Sequence, residues 1–275
     1  MPEGPEVQIV ARQVSKNLVG WTLNKINIVS GPYSNNSGKK YLSFRMDLRK
    51  RFKKSQLSEV GTKGKFLYWG LTPVSKDNVV VNDYLTFGFG LTGEFAFNKH
   101  GQKHVRFEFL FTKGSSKKTL YFSDQRNFGT LNFLHREGLN AKLNNLGPDV
   151  IKVEQDVFVQ QMKHDSIKNN EIAKAFLNQK ILSGIGNYLR AEILYRAEIA
   201  PMIRVKDLDE EQIISLYKAT KEVLKDVLSK GGSPHYKDTI GNAGKYKFRV
   251  YMQTQDPNGK FVRKTKLSGR TIYHI

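Results

Sequence analysis

The first half of the chain alternates apolar and polar residues with the two-residue period of β-strands. The clearest case is HVRFEFLF, whose apolar side chains share one side of the strand: Val105, Phe107, Phe109 and Phe111. After the turn TKGSSKK, the segment TLYFS is the return strand, and further short strands are predicted at TLNKINIV, KYLSFRM, KFLYWGL and VVVNDYLTF. Several short strands separated by turns predict an all-β sandwich that extends to about residue 132.

A helix precedes these strands, at the start of the chain. In MPEGPEVQIVARQ and the residues that follow, apolar positions recur at helical spacing: Val7, Val10, Val14 and Leu18. Pro5 suits the first turn of a helix, because its missing N–H would be unpaired there in any case. Glu3 and Glu6 suit the positive end of the helix dipole.

The second half of the chain changes to the longer period of helices. Helices are predicted at EQDVFVQQM, NNEIAKAFLNQ, NYLRAEILYRAEI and DEEQIISLYKATKEVLKDVLSK, and a glycine pair ends the last of them. The polar segment HREGLNAKLNNLGPD is predicted to be a linker, and the strand-like end of the chain carries a hairpin turn at DPNGK. These patterns predict a two-domain α+β protein: a sandwich domain over 1–132, a linker over 133–149, a helical domain over 150–235 and a β-hairpin segment over 236–275.

The charge balance points to a polyanionic partner. The 275 residues include 45 Lys and Arg against 25 Asp and Glu, which gives a formal net charge of +20. Nucleic acid is the first candidate and an anionic membrane the second, although no apolar run approaches the length of a membrane span and no signal-peptide pattern is present. The absence of cysteine excludes disulfides, thiolate catalysis and cysteine-based zinc sites. We therefore expect an intracellular protein that is not secreted.

Helix-start chemistry does not account for Pro2. Once Met1 is removed, Pro2 carries a free secondary amine beside a carboxylate at the positive end of a helix. An unprotonated amine held in place there is a nucleophile for carbonyl-like carbon and forms Schiff bases. The motif by itself leaves two interpretations open, an ordinary helix start and a catalytic N-terminus.

A second motif, KILSGIGNYLRAEIL, places Gly184 and Gly186 in a tight turn and Asn187 as the N-cap of the next helix. Glycines let the backbone approach a ligand closely, and the N–H groups of a helix N-terminus bind phosphate. In a chain this basic, the pattern indicates a turn that binds a DNA phosphate. An ordinary connection between two helices is the alternative.

Two loops carry residues suited to separating base pairs. Leu91 stands in the glycine-rich turn FGFGLTGEF, where a polar residue is expected, and Arg126 and Phe128 follow a strand in DQRNFGTL. An exposed apolar side chain on one loop and an Arg/Phe pair on the other would suit a wedge between bases. Core packing of Leu91 and Phe128, with Arg126 solvated, is the alternative.

The lysines and histidines give weaker signals. Lys65 follows Gly64 at the start of the apolar strand in GTKGKFLYW, where it could bind a phosphate, assist proton transfer or lie on a solvated surface. The six histidines do not show the spacing of a metal site. We expect neither a metal nor a cofactor.

These stretches, in this order, resemble the Fpg/Nei family of bifunctional DNA glycosylases. The matching pieces run over nearly the whole chain: PEGPE, GKF, GFGLTGEF, DQRNFG, LGPD, GIGNYLRAEIL, GGSPHYKD and GRTIYH. The resemblance implies a helix plus β-sandwich, a linker, a helix–two-turn–helix domain and a β-hairpin finger. It also implies that the partner is double-stranded DNA with oxidised bases or abasic sites, bound by a monomer.

At matching positions the resemblance implies catalytic roles. Pro2 would be the nucleophile that forms a Schiff base and Glu3 the general acid. Lys65 would assist catalysis and hold a phosphate, and Glu6 matches a further active-site carboxylate. The implied activity is excision of oxidised bases, pyrimidines and hydantoins above all, followed by β,δ-elimination at the abasic site. A non-catalytic DNA- or RNA-binding protein of the same fold is the alternative.

Further positions match DNA-binding residues of the family. Leu91, Arg126 and Phe128 would fill the hole left by the extruded nucleotide, while Asn187 and Arg270 would bind the flanking phosphates. The chain departs from many members in having no cysteine, so its finger is similar to the zincless finger of vertebrate and giant-virus Nei-like proteins. Position 88 is glycine, where many relatives carry a basic residue.

Overall fold

The computed structural model describes residues 2–34, 41–74, 83–98, 103–267 and 269–275. Its helices are α1 (Gly4–Leu18), α2 (Leu42–Lys50), α3 (Arg136–Asn144), α4 (Gln155–Met162), α5 (Ile172–Ala175), α6 (Asn187–Arg196) and α7 (Glu210–Ser229). Its strands are β1 (Thr22–Ile28), β2 (Ser55–Lys63), β3 (Phe66–Pro73), β4 (Asp83–Gly88), β5 (Gly93–Ala96), β6 (Val105–Lys113), β7 (Ser116–Asp124), β8 (Thr130–His135), β9 (Arg263–Leu267) and β10 (Arg270–His274).

Strands β1 to β8 form one antiparallel sheet in the order β5-β7-β6-β1-β2-β3-β4-β8. This sheet folds over on itself. Trp69 on β3 packs against Phe95 on β5 and Phe109 on β6, at ring-centroid distances of 5.6 and 5.2 Å, although neither strand is its neighbour in the sheet. Aromatic side chains thus fill the space between the two halves, and the predicted β-sandwich is confirmed.

Helix α1 packs its apolar stripe into this sandwich core. Val7, Val10, Val14 and Leu18 are fully buried, as their spacing predicts. Pro5 lies in the first turn and Glu3 is the N-cap residue, with its carbonyl accepting the first helical bond from Val7. The start of the chain is therefore a fixed helix end rather than a frayed terminus.

Helices α4 to α7 surround a second core, separate from that of the sandwich. The predicted stripe of α7 lines this core, with Ile213, Leu216, Val223 and Val227 among its buried residues. Gly231 and Gly232 end the helix with φ angles of +71° and +99°, which only glycine adopts without strain.

The C-terminal segment, which includes the β9–β10 hairpin, packs against the helical domain. Val250 and Ile272 are fully buried in the helical core. The buried carboxylate of Glu192 on α6 accepts backbone N–H bonds from residues 249–251 and a hydroxyl bond of 2.9 Å from Tyr246. Apolar packing and one carboxylate therefore position the segment that carries the hairpin.

Two predicted elements differ from the structure, and one strand was not predicted. KYLSFRM was predicted as a strand but begins α2, and the prediction was wrong because a short apolar run fits either period. Phe44 of α2 is buried and stacks on Phe133 of β8 at 5.4 Å, a long-range contact that favours the helix. The predicted linker contains helix α3, and the polar strand β2 was missed. Residues 79–82 of VVVNDYLTF lie outside the described residues.

Candidate active site at the domain junction

Three glycines bring the two domains into contact. The N–H of Gly4 donates to the carbonyl of Gly184 at 2.9 Å, and a Cβ on Gly4 would lie 3.2 Å from the Gly184 Cα. A Cβ on Gly64 would lie 2.7 Å from the Gly184 nitrogen, closer than real Cβ contacts allow. The motifs PEGPE, GKF and GIGN therefore meet backbone to backbone, and this contact places Pro2, Glu3 and Lys65 at one junction.

The carboxylate of Glu3 sits on the N-terminus of α6. Its Oε2 accepts N–H bonds from Gly186 at 2.6 Å and Leu189 at 3.2 Å, and its Oε1 accepts one from Tyr188 at 3.0 Å. The positive end of the helix dipole favours a carboxylate at this place. A Cβ on Gly186 would lie 2.2 Å from the Glu3 Cδ, so only glycine leaves room for the carboxylate.

This contact corrects the prediction for the GIGN turn. The N–H of Gly186 binds Glu3, and the N–H of Gly184 donates to the side chain of Gln179 at 3.0 Å, so neither is free for a phosphate. The N-cap residue of α6 is Gly186 and not Asn187, which is the first helical residue. A helix N-terminus binds any anion, and here the protein supplies its own.

Glu6 is a second buried carboxylate directly behind Glu3. Its Oε2 accepts the backbone N–H of Glu3 at 2.9 Å. Its Oε1 accepts the hydroxyl of Tyr188 at 2.8 Å and the N–H of Ser233 at 2.9 Å. Glu6 therefore fixes the backbone at Glu3 and joins α1 to two segments of the helical domain.

Burial shifts the ionisation of two side chains at this junction. It raises the pKa of Glu3 to about 7, although attraction by Lys65 and the N–H bonds from α6 oppose the change. Burial lowers the pKa of Lys65, with attraction by Glu3 acting against it and repulsion by Arg270 adding to it. A carboxyl group that is partly protonated near neutral pH is suited to general acid catalysis.

A cavity of about 620 Å³ opens above Glu3. Five of the predicted site residues line it: Glu3, Leu91, Arg126, Asn187 and Arg270. Pro2 is buried next to Glu3 along the chain, and Lys65 lies near enough to Glu3 and Arg270 for both to affect its pKa. The structure thus gathers residues that are up to 267 positions apart in the sequence at one site, from Glu3 to Arg270.

Aromatic side chains form a wall of this cavity that the sequence did not reveal. His235 and Phe248 stack with ring centroids 5.4 Å apart and planes at 15°, and Phe248, Tyr251 and Tyr273 continue the wall at 5.1 and 5.2 Å spacing. The run KYKFRVYM contains two of them, but aromatic residues in a strand-like segment are more often core residues. An apolar wall of aromatic rings in a cavity that arginine side chains also line suits a nucleobase.

The two loops predicted to form a wedge both contribute to the lining of the cavity, through Leu91 and Arg126. Arg126 is exposed, Leu91 is half-buried, and Phe128 is 55% exposed. The core-packing alternative is therefore wrong for Phe128. It fails because Phe128 lies on the loop between β7 and β8, outside the sandwich core.

A buried arginine that the sequence did not indicate connects the helical domain to the finger. Arg190 is fully buried and donates to the side-chain oxygen of Asn187 at 2.7 Å and to the carbonyl of Ala173 at 3.0 Å. Asn187 in turn donates to the carbonyl of Thr271 on β10 at 3.1 Å. Arg190 therefore fixes the orientation of the Asn187 amide beside Arg270.

The described residues contain no group of His, Asp and Glu side chains that could hold a metal ion. None of the helices in the described ranges has the length and apolar character needed to span a membrane.

The fold and this site define a two-domain protein that combines a β-sandwich with a helix–two-turn–helix domain. Residues 1–131 match the formamidopyrimidine-DNA glycosylase N-terminal domain, and residues 146–237 match the formamidopyrimidine-DNA glycosylase H2TH domain. The chain belongs to the formamidopyrimidine-DNA glycosylase family, the Fpg/Nei family.

Two curated relatives agree with this assignment, and a solved structure has the same fold. The formamidopyrimidine-DNA glycosylase of Mycoplasma mobile is 29% identical over 99% of this chain and 97% of its own length. That of Bacillus cereus is 28% identical over 100% of this chain and 97% of its own. Lactococcus lactis Fpg in complex with DNA that contains an abasic site has the same fold, with a TM-score of 0.79, 22% identity and coverage of 99% and 97% of the two chains.

Proposed function

We propose that this protein is a bifunctional DNA glycosylase and abasic-site lyase that excises oxidised bases from DNA. The observation that carries the proposal is Glu3, a buried carboxyl group next to Pro2 that lines a cavity together with Arg126 and Arg270. Burial gives Glu3 a pKa of about 7, which suits an acid that must hold a proton at neutral pH. The named relatives are DNA glycosylases, and several solved structures of similar fold contain damaged DNA.

The reaction begins with a nucleotide flipped out of the duplex, because a base inside the stack cannot be reached. The nitrogen of Pro2 attacks C1′ of the sugar, the bond from C1′ to the base breaks, and the base leaves with the electron pair and takes up the proton that the Pro2 nitrogen loses. Glu3 gives a proton to the ring oxygen, which opens the sugar and leaves an iminium between Pro2 and C1′. The iminium acidifies the C2′ proton, so elimination expels the 3′ phosphate and a second elimination expels the 5′ phosphate.

The basic residues around the cavity would hold the DNA in this arrangement. Arg270 and Lys65 would bind phosphates beside the flipped nucleotide, together with Asn187, whose orientation Arg190 fixes. Leu91, Arg126 and Phe128 would enter the space that the nucleotide leaves.

We also propose that oxidised pyrimidines and hydantoins are preferred. The loop at 238–242 is short and is held against the sandwich domain. Gln13 accepts both the N–H and the hydroxyl of Thr239, and the N–H of Phe97 donates to the Thr239 carbonyl. The loop therefore does not line the cavity above Glu3. A cleavage panel on duplexes that differ only in the oxidised base tests this preference.

Borohydride trapping tests the mechanism itself. Reduction of the iminium should give a stable protein–DNA adduct at Pro2. A tag that blocks the Pro2 nitrogen should abolish trapping and cleavage while DNA binding remains, and the same tag at the C-terminus serves as the matched control. Full activity with a blocked N-terminus would exclude the mechanism, and binding without an adduct in the unblocked protein would favour the non-catalytic alternative.

A further inference from the structure

One buried carboxylate joins the two loops that carry Leu91 and Arg126 to the cavity lining. Asp124, at the end of β7, is 2% exposed. Its Oδ1 accepts the hydroxyl of Thr92 and the backbone N–H of Arg126, the latter at 3.2 Å. Its Oδ2 accepts the N–H of Gly129 at 2.7 Å. The same side chain therefore binds Thr92, next to Leu91, and the backbone both before and after Phe128.

The backbone of Asp124 is fixed from behind, so the carboxylate has a defined place. Its N–H donates to the carbonyl of His104 at 3.1 Å, and its carbonyl accepts the guanidinium of Arg106 at 2.8 Å. Asp124 also pairs with Gly93 across β5 and β7.

The two loops touch as well as sharing this carboxylate. Gly90 has a φ of +58°, and a Cβ at that position would lie 2.6 Å from the carbonyl carbon of Phe128. The N–H of Arg126 donates to the hydroxyl of Thr92 at 3.0 Å as well as to Asp124. Since the same hydroxyl donates to Asp124, the three groups form a closed ring of hydrogen bonds. Movement of either loop alone would break this ring.

We propose that Asp124 is a positioning residue that joins Leu91, Arg126 and Phe128 into one preorganised wedge. This proposal rests on the proposed function, in which those three side chains replace the flipped nucleotide. A wedge that is already ordered in the free protein loses less conformational entropy when it enters the duplex, and this favours the flipped state. Asp124 is not among the residues that line the cavity, and it acts through Thr92 and the loop backbone.

The isosteric variant Asp124→Asn disturbs this network with little change in shape. Three donors converge on the two oxygens of Asp124. The amide group of asparagine has one acceptor oxygen, so its NH₂ must face at least one of those donors. Thr92→Val replaces the hydroxyl that takes part in the ring of hydrogen bonds with a methyl group, whereas Thr92→Ser keeps a hydroxyl at that position. Thr112→Val is the matched control, because the Thr112 hydroxyl accepts a 2.7 Å bond from Asn24 on the sandwich away from the cavity.

The test compares two substrates for each variant: a duplex with an oxidised base, and a single strand with a preformed abasic site, which needs no wedge. We expect Asp124→Asn and Thr92→Val to slow excision in the duplex at least tenfold and to change cleavage of the single strand by less than threefold. Thr92→Ser and Thr112→Val should remain within twofold of the unmodified protein on both substrates. In the double variant with Leu91→Ala and Asp124→Asn, the fold-reduction of the excision rate in the duplex should be smaller than the product of the two separate fold-reductions.

Three outcomes would overturn the proposal. One is an equal loss on both substrates, which would indicate a general structural role. Another is a duplex rate that Asp124→Asn and Thr92→Val leave unchanged while Leu91→Ala lowers it, which would refute the coupling but not the wedge. If Leu91→Ala itself fails to separate duplex from single strand, the wedge is wrong and the role of Asp124 falls with it.

Discussion

Replacement of Glu3 by glutamine tests the ionisation state on which the mechanism depends. Burial raises the pKa of Glu3 from 4.5 to about 7, so the folded state holds its proton more tightly than the unfolded chain. Because its pKa is raised in the folded state, Glu3 lowers the free energy of unfolding progressively as pH rises from 4.5 to 7. The full loss of stability is present above pH 7. At about 1.4 kcal/mol for each pH unit, this penalty is about 3 kcal/mol.

Glutamine carries no charge and therefore avoids this penalty at every pH. Its amide also loses part of the bonding to the N–H groups of Gly186, Tyr188 and Leu189, but that cost does not depend on pH. The effect of Glu3→Gln on the free energy of unfolding should therefore shift toward stabilisation by about 3 kcal/mol between pH 4.5 and pH 8. Urea unfolding at the two pH values measures this change, and Glu211→Gln, at an exposed carboxylate on α7, controls for loss of a charge.

A shift of the opposite sign would refute the reasoning. It would mean that the three N–H bonds and the helix dipole outweigh burial and keep Glu3 ionised. The activity should agree with the unfolding data. Base excision should fall as pH rises through about 7, because the acid loses its proton, and Glu3→Gln should retain more activity on a preformed abasic site than on an oxidised base.

The other predictions concern single contacts. Gly186→Ala should displace Glu3 and abolish excision, since its Cβ would lie 2.2 Å from the Glu3 Cδ, whereas Gly138→Ala on α3 meets nothing closer than 3.6 Å and should leave the activity intact. Arg270→Ala should reduce the slope of log affinity against log salt by about 0.9, and an unchanged slope would contradict a phosphate contact. Phe128→Ala should change stability by less than about 0.5 kcal/mol while it slows excision in the duplex, and a large fall in melting temperature would contradict this. Strong chelators should leave cleavage unaffected, because the chain has no cysteine to hold zinc.

Much of the local structure could be predicted from the sequence, because periodic patterns record which side of an element is buried. The apolar spacing in α1 and α7, the alternation in β6 and the glycines after α7 all gave elements that the structure contains. The Pro2–Glu3 pair at a helix start also led to the proposal of a catalytic N-terminus. Short windows were ambiguous, as KYLSFRM was, since a few apolar residues fit a helix and a strand equally well.

Only the tertiary structure decided which groups at the site bind one another. The N-terminus of α6 could hold a phosphate or a carboxylate by the same chemistry, and the fold gives it Glu3, which lies 183 residues before Gly186. Gly4, Gly64 and Gly184 lie on separate elements, and each had to lack a side chain for three backbones to meet. The sequence did not indicate the hydrogen bonds of Asp124, because its donors come from two loops that become neighbours when the sheet folds. Local pattern determines the elements, whereas contacts between distant residues depend on how those elements pack.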